Sequence, residues 1–184
     1  MTARNLLSLV VLAALSSAPA ACSTPPSDER IGIIAPNASE AAFGPVADFL
    51  DHRCGSLDCH GQPGRNLRIF GCEGMRLLNT DAPICSRAQG GRPTSPDEHT
   101  ATYRSLVGLE PAVMSEVVAN HGRDPELLTF IRKARGTEAH KGGALFVPGD
   151  EQDVCVTSWL SGQTNLDACN GAFSYPTFPP LPGQ

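Results

Sequence analysis

A short segment with two thiols and an imidazole constrains this chain more than any other part of it. Residues 54–61 read Cys-Gly-Ser-Leu-Asp-Cys-His-Gly, so four residues separate Cys54 from Cys59 and His60 follows directly. Apolar residues at helical spacing predict a helix over residues 43–53 that leads into Cys54. The longer loop between the thiols must pucker outward, and Gly55 can take a positive φ there without Cβ strain. The fold must therefore hold a helix end, two thiols and an imidazole together.

This segment resembles a c-type haem attachment site, in which each thiol adds across a porphyrin vinyl group and the histidine ligates the iron. Such sites usually have two residues between the cysteines, although Cys-x4-Cys-His sites occur in some multihaem cytochromes. Because the chain has one such motif, the resemblance implies one covalent haem c, attached to Cys54 and Cys59 and ligated by His60. Two alternatives stay open: a local Cys54–Cys59 disulfide beside a solvated His60, or zinc or another metal.

The order of elements extends the likeness over roughly residues 43–165. The helix before the motif, a loop that carries His140 and a closing helix with Trp159 resemble the cytochrome-c-like domains of bacterial envelope proteins. In that family a loop before the C-terminal helix generally supplies the second axial ligand, often a methionine. The resemblance implies His140 at that place. Met114 is the rival ligand, but its position on an apolar helix stripe favours a core role.

Composition bounds the fold class. The chain has 184 residues, of which 41% are hydrophobic and 18% charged, enough for one ordinary core. Its 18 glycines and 16 prolines, with 5% aromatic residues, favour helices joined by long loops over a β-sandwich. Capping patterns predict further helices that begin near Ser95, Glu110, Asp124 and Gly149. We therefore predict an all-α, cytochrome-c-like domain of about five helices with long loops.

The region after the motif is predicted to be a long loop, because glycines and prolines recur through residues 61–95. Arg65, Arg68 and Arg76 lie in this loop, and arginines near a haem could pair with its propionates. Ordinary solvated arginines are the simpler interpretation for any one of them. His52 and His99 are expected to face solvent.

The N-terminus has the features of an export signal over residues 1–21: Arg4, an apolar run from Leu6 to Leu15, and small residues before Cys22. The apolar run is too short for a permanent membrane span. The residues up to Cys22 resemble the end of a bacterial lipoprotein signal, which implies a lipid on Cys22 and a periplasm-facing location in the bacterial cell envelope. Pro19 stands where such signals usually have leucine, so ordinary cleavage remains an alternative.

The predicted domain has flexible flanks. Residues 22–42 are predicted to be a tether, residues 43–170 the cytochrome-c-like domain and residues 171–184 a Pro-rich tail. The formal net charge of −5 disfavours nucleic acid as a partner.

Seven cysteines in an exported chain leave one without an intramolecular partner. A lipid on Cys22 would account for the odd one. Outside the motif, the four remaining cysteines are then expected to form disulfides with their sequence neighbours: Cys72 with Cys85, and Cys155 with Cys169. Each bridge would contribute roughly 3 kcal/mol by constraining the unfolded chain.

These features favour an exported monohaem electron-transfer protein. It would exchange electrons with an unknown redox partner protein and be held to a membrane through the lipid on Cys22. The sequence contains no glycine-rich phosphate loop after a predicted strand, no Gly-x-Ser-x-Gly elbow and no His-Glu-x-x-His pair, so we predict no enzymatic activity. The alternative is a cofactor-free, disulfide-stabilised structural or interaction lipoprotein in which Cys54 and Cys59 bridge each other.

Overall fold

The computed structural model describes residues 32–78 and 92–173, which are helical and contain no strand. A 3-10 turn, Pro125–Leu127, precedes the fourth helix. The α-helices are α1 (Glu40–Cys54), α2 (Pro96–Val107), α3 (Pro111–Ala119), α4 (Thr129–Ala134), α5 (Glu151–Leu160) and α6 (Leu166–Gly171). The all-α class is confirmed for the described residues, whereas the expected number of about five helices is one too low.

Local capping explains where two of the predicted helices begin. The Glu98 N–H donates to the Ser95 hydroxyl, and the Ser95 N–H donates to the Glu98 carboxylate, so a complete capping box starts α2. The Asp150 carboxylate accepts from the Asp153 N–H and starts α5 in the same manner. The sequence therefore carries its own start signals at these points.

The prediction differs from the structure near α4 and α6. Asp124 has a φ of 51°, which a continuous right-handed helix cannot contain. The helix expected from Asp124 onwards is therefore divided into the 3-10 turn and the short α4, with Leu128 extended between them. Helix α6 was not predicted, because six residues are too few for a clear apolar period.

Helix α1 lies at the centre of the core and contacts α2, α5 and α6. Phe43 packs against Tyr103 of α2 and Trp159 of α5, with ring centroids 5.3 and 4.9 Å apart. Fully burying each such side chain is worth about 1.5–3 kcal/mol. The apolar residues that predicted α1 are all buried: Phe43, Val46, Ala47, Phe49 and Leu50. Cys54, the last residue of α1, is thus carried by the best-packed element.

One disulfide has both its cysteines among the described residues. Cys155 and Cys169 are bonded, as predicted, and join α5 to α6. Cys72 is also disulfide-bonded, but its expected partner Cys85 lies outside the described residues. The expectation of a domain stapled by several disulfides is thus met by one bridge that is described in full. The export signal, Cys22 and the tail from residue 174 also lie outside the description.

The segment ahead of α1 contacts the helical unit. The Tyr103 hydroxyl donates to the Pro36 carbonyl at 2.7 Å, and the Trp159 indole N–H donates to the Asn37 carbonyl at 2.8 Å. Part of the stretch predicted as a tether is therefore bound to the domain, and α1 begins at Glu40, earlier than predicted. Among the described helices, none is both long enough and apolar enough to cross a membrane.

Candidate functional site

The motif loop, residues 54–61, is a compact set of turns at the C-terminal end of α1. The His60 N–H donates to the Cys54 carbonyl at 2.9 Å, and the Cys59 and Gly61 N–H groups both donate to the Ser56 carbonyl. These bonds return the chain to the end of α1 in spite of the long spacing between the thiols. The backbone at Gly55 has a φ of −79°, so the loop does not use the positive φ that glycine allows.

The glycines around the motif loop serve close packing. A Cβ on Gly61 or Gly74 would overlap the carbonyl oxygen of Gly55, and a Cβ on Gly55 or Gly71 would overlap the carboxylate of Asp51. The motif loop and the following loop therefore meet at backbone distance. These positions need glycine because a side chain has no room there.

Cys54 and Cys59 are both half-buried free thiols, so the local disulfide considered from the sequence is not formed. Burial raises the pKa of the Cys54 thiol to about 12. This thiol is therefore protonated at neutral pH and is a poor thiolate nucleophile. That property disfavours a thiol–disulfide exchange site at Cys54.

The His60 ring is oriented by a backbone carbonyl. Its Nδ1 lies 3.0 Å from the Leu67 oxygen, which can only accept, so Nδ1 carries the proton and Nε2 presents a lone pair. Burial lowers the pKa of His60, and its hydrogen bond to Leu67 offsets this only in part. A neutral imidazole with one nitrogen already bonded is the form in which histidine binds a metal.

Helix α2 holds the loop that supplies this carbonyl. The Arg68 N–H donates to the Ser105 hydroxyl at 2.7 Å, and the Phe70 N–H donates to the Thr102 hydroxyl at 2.9 Å. The Ile69 N–H donates to the His60 carbonyl at 2.9 Å, which ties the loop to the motif itself. His60 is thus fixed by two elements that lie far apart in the sequence.

His140 reaches the same cleft from the loop after α4. The His60 and His140 ring centroids are 6.0 Å apart, and the ring planes differ by 23°. Two imidazoles that share one metal ion, each about 2 Å from it through a ring nitrogen, have centres roughly 6 Å apart. The Nδ1 atom of His140 lies 3.3 Å from the Gly143 carbonyl, which leaves its Nε2 as the ligating atom. The two predicted axial ligands are therefore brought together.

Cys54, His60 and His140 line one cleft of about 510 Å³, within the usual range of roughly 300–1,000 Å³ for cofactor sites. The sequence analysis missed Lys133 and Glu110 as cleft residues, since nothing in the pattern of α4 or α3 marks either of them. The apolar walls come from α1, α2, α4 and the loops, and include Leu50, Ile69, Leu106, Leu109, Phe130 and Phe146.

Of the other candidate residues, one lines the cleft and the rest lie elsewhere. Met114 is 1% exposed within the core and does not line the cleft, which supports its core role. Arg65 lines the cleft, whereas Arg76 forms a buried ion pair with Glu98 at 3.0 Å. Arg68 is exposed and is not part of the cleft wall.

His99 is buried, contrary to the expectation that it faces solvent. Its two ring nitrogens lie 2.7 Å from Glu40 and 3.0 Å from Asp48, both on α1. Burial lowers the pKa of His99, but the bonds to these two carboxylates outweigh burial and raise the pKa overall. Both ring nitrogens must donate here, so His99 is an imidazolium that links α2 to α1.

Among the described residues, no three or more His, Cys, Asp or Glu side chains are grouped so that they could hold a metal ion by themselves. The donors that line the apolar cleft are instead two imidazoles and the Cys54 thiol, and Cys59 is not part of the cleft wall. Comparisons of the chain with protein-family models, with curated proteins and with solved structures found no match.

Proposed function

We propose that this chain is a c-type cytochrome-like electron-transfer protein that carries one covalent haem. The observation that carries the proposal is the pair of imidazoles, His60 and His140, 6.0 Å apart on a cleft that Cys54 also lines. A one-electron carrier needs a buried iron site with strong ligands on both sides and little access for water. The proposal does not extend to enzymatic chemistry.

The residues fit haem in three respects. Neutral His60 has its Nδ1 proton bound to Leu67, as a ligating histidine requires. The cleft walls are mainly aliphatic and aromatic, which suits a flat macrocycle. Arg65 and Lys133 stand at the same cleft and could pair with propionate carboxylates. Haem would supply an iron that changes its oxidation state by one electron, and the chain would bind, orient and shield it.

Covalent attachment of haem would use the free thiols of Cys54 and Cys59. Cys54 and Cys59 would each add an S–H bond across one vinyl group, with sulfur on one carbon and hydrogen on the other, so that no oxidant or reductant is consumed. The protonated state of Cys54 provides that hydrogen. The free state of both thiols supports attachment over a local disulfide.

The two axial ligands determine the redox range. Histidine on both sides leaves the reduction potential lower than a His/Met pair does. We infer His140 as the distal ligand, because it lies at the cleft and Met114 does not. The protein would therefore work with a partner protein of relatively low potential.

The cellular setting follows from the N-terminal sequence. We infer that residues 1–21 direct export, that Cys22 carries the lipid, and that the domain faces the periplasm of a bacterial cell envelope, bound to a membrane through that lipid. Intact-mass analysis tests this step: a mature chain that begins at an acylated Cys22 agrees with it, and an unmodified N-terminus upstream or downstream contradicts it.

The decisive experiment is expression of the full chain with a working haem-attachment system. We expect a red protein whose mass exceeds that of the mature chain by one haem, and the haem should stay bound in denaturant. The Cys54→Ala/Cys59→Ala double variant is the control and should lose the covalent mass. A colourless wild-type protein would contradict the electron-transfer proposal and leave the cofactor-free lipoprotein.

A further inference from the structure

The loop that carries His140 is held by one carboxylate, Glu138. Its Oε2 atom lies 2.9 Å from Arg132 Nε, and its Oε1 atom lies 2.9 Å from Lys133 Nζ, both on α4. Lys133 also donates to the carbonyl of Ala139, the residue directly before His140, at 2.9 Å. Glu138 and α4 thus fix the chain on the N-terminal side of the imidazole.

The other restraints on this loop are few. Gly136 and Gly143 have positive φ values of 72° and 71°, so the backbone changes direction at each end of the segment between them. Within that segment, the N–H groups of Thr137 and Glu138 donate to the Arg132 carbonyl at 3.0 and 3.3 Å. The His140 ring itself has one hydrogen-bond contact, to Gly143. The Thr137 hydroxyl also donates to the Arg132 carbonyl, at 3.2 Å, so the Glu138 carboxylate supplies the charged contacts between the centre of the loop and α4.

Glu138 also balances a charge at the cleft. Lys133 lines the cleft, and its ammonium group has Glu138 as its acidic partner. Replacing Glu138 with a neutral residue would leave this ammonium beside His140 without that partner, and Lys133 would be free to turn away from Ala139. The position of the ligand and the charge beside it thus depend on the same carboxylate.

We propose that Glu138 is a positioning residue for the distal ligand: it keeps His140 opposite His60 by binding Arg132 and Lys133. This inference rests on the proposed haem function. It predicts that the wild-type protein has two imidazole ligands at rest, and that without Glu138 the distal imidazole leaves the iron for part of the time.

The test compares Glu138→Gln with Glu116→Gln, a matched change at an exposed glutamate of α3. In ferric holoprotein, the wild type and Glu116→Gln should be low-spin. Glu138→Gln should show a several-fold larger high-spin fraction, and added imidazole should restore the low-spin spectrum by filling the distal position. Far-ultraviolet circular dichroism should be the same for all three proteins, which separates loss of position from loss of fold.

A second measurement on the haem-free protein separates this inference from the proposed function. Amide hydrogen exchange at residues 137–143 should be several-fold faster in Glu138→Gln than in the wild type, and unchanged in Glu116→Gln. A wild type that never binds haem would overturn the proposed function. Unchanged exchange, or a fully low-spin Glu138→Gln holoprotein, would overturn the role of Glu138.

Discussion

The two histidines of the cleft are held in different ways. His60 lies in a loop closed by backbone hydrogen bonds, with its ring bound to the Leu67 carbonyl at 3.0 Å. His140 lies between two positive-φ glycines, with a ring contact of 3.3 Å to Gly143. The ion pairs of its loop join Glu138 to Arg132 and Lys133, whose side chains are about one-third exposed. His60 is therefore held by the scaffold, and His140 is held from the surface.

This difference predicts separate roles for the His60 side and the His140 side of the cleft. In the proposed haem protein, a ligand fixed by backbone bonds would cost little to order when the metal binds, so His60 would set where the cofactor sits. A ligand on a loop with few restraints could leave at a small free-energy cost, so the His140 side would set the coordination state. Variants on the two sides should consequently differ in kind as well as in size.

The largest effect is expected from His60→Ala. This change removes the ligand that the scaffold positions beside both thiols, so covalent haem per chain should fall to a small fraction of the wild-type value. Intact mass and haem absorbance measure the yield, with His140→Ala as the matched control that keeps full attachment. A normal yield and a low-spin spectrum in His60→Ala would contradict the role of His60 in haem attachment and ligation.

His140→Ala should change the spectrum and leave haem attached. The ferric protein should turn from low-spin to largely high-spin, because water is a weaker ligand than imidazole. Met114→Leu is the control, since it conserves volume in the core, costs less than about 1.5 kcal/mol and should leave the spectrum unchanged. If Met114→Leu alters the spectrum and His140→Ala does not, the distal role belongs to Met114.

The scaffold on the His60 side should respond to pH through His99. Against the opposing effect of burial, the hydrogen bonds to Glu40 and Asp48 raise its pKa in the folded protein, so its stabilising effect is complete below the ordinary histidine value of about 6.5. The effect is lost as pH rises through the raised pKa. His99→Gln should therefore destabilise the protein by about 1 kcal/mol near pH 6, after allowance for the exposed carboxylates, and by less near pH 9.

Urea unfolding at the two pH values measures this difference. His121→Asn is the control, because His121 is exposed with a φ of 54°, which asparagine tolerates. Relative to this control, His99→Gln should lose more stability at the lower pH. A loss of stability in His99→Gln that is equal at both pH values would show that the ion pairs with α1 contribute nothing.

The smallest effect is expected from Ser105→Ala, which removes the acceptor for the Arg68 N–H. It should lower the free energy of unfolding by about 0.5 kcal/mol, the low end for a hydrogen bond, because this bond is exposed. Ser115→Ala, which removes the acceptor for the Ile34 N–H, is the matched control. Only Ser105→Ala should speed exchange of the His60 ring proton with solvent, as seen by nuclear magnetic resonance. Equal exchange in both variants would remove α2 from the support of His60.

The sequence predicts the parts of this fold that local chemistry determines. Three features could each be predicted from a segment of about 15 residues, and each is present: the apolar period of α1, the capping box at Ser95 and the Cys155–Cys169 pair. The grouping of Cys54, His60 and His140 was also anticipated, but only through the resemblance of the motif and of the order of elements.

What the sequence does not predict depends on distant partners. His99 is buried because Glu40 and Asp48, 59 and 51 residues away, supply its two acceptors. The left-handed backbone at Asp124 interrupts a pattern that reads as continuous helix. Glycine is needed at the motif loop because two loops meet there and leave no room for a Cβ. No local sequence pattern distinguishes such a glycine from one that forms a turn. Tertiary contacts decide the burial of His99 and the need for these glycines.

The hydrogen bonds from Tyr103 and Trp159 to the backbone at Pro36 and Asn37 fix the point at which the chain enters the domain. That point is at the N-terminal end of α1, and Cys54 is at its C-terminal end, 15 residues along a helix about 22 Å long. In the proposed lipoprotein, the anchored end of the domain would therefore lie about one length of α1 from the proposed haem site. Rotation of the domain about its anchored end would bring the proposed haem site to partner proteins at different heights above the membrane.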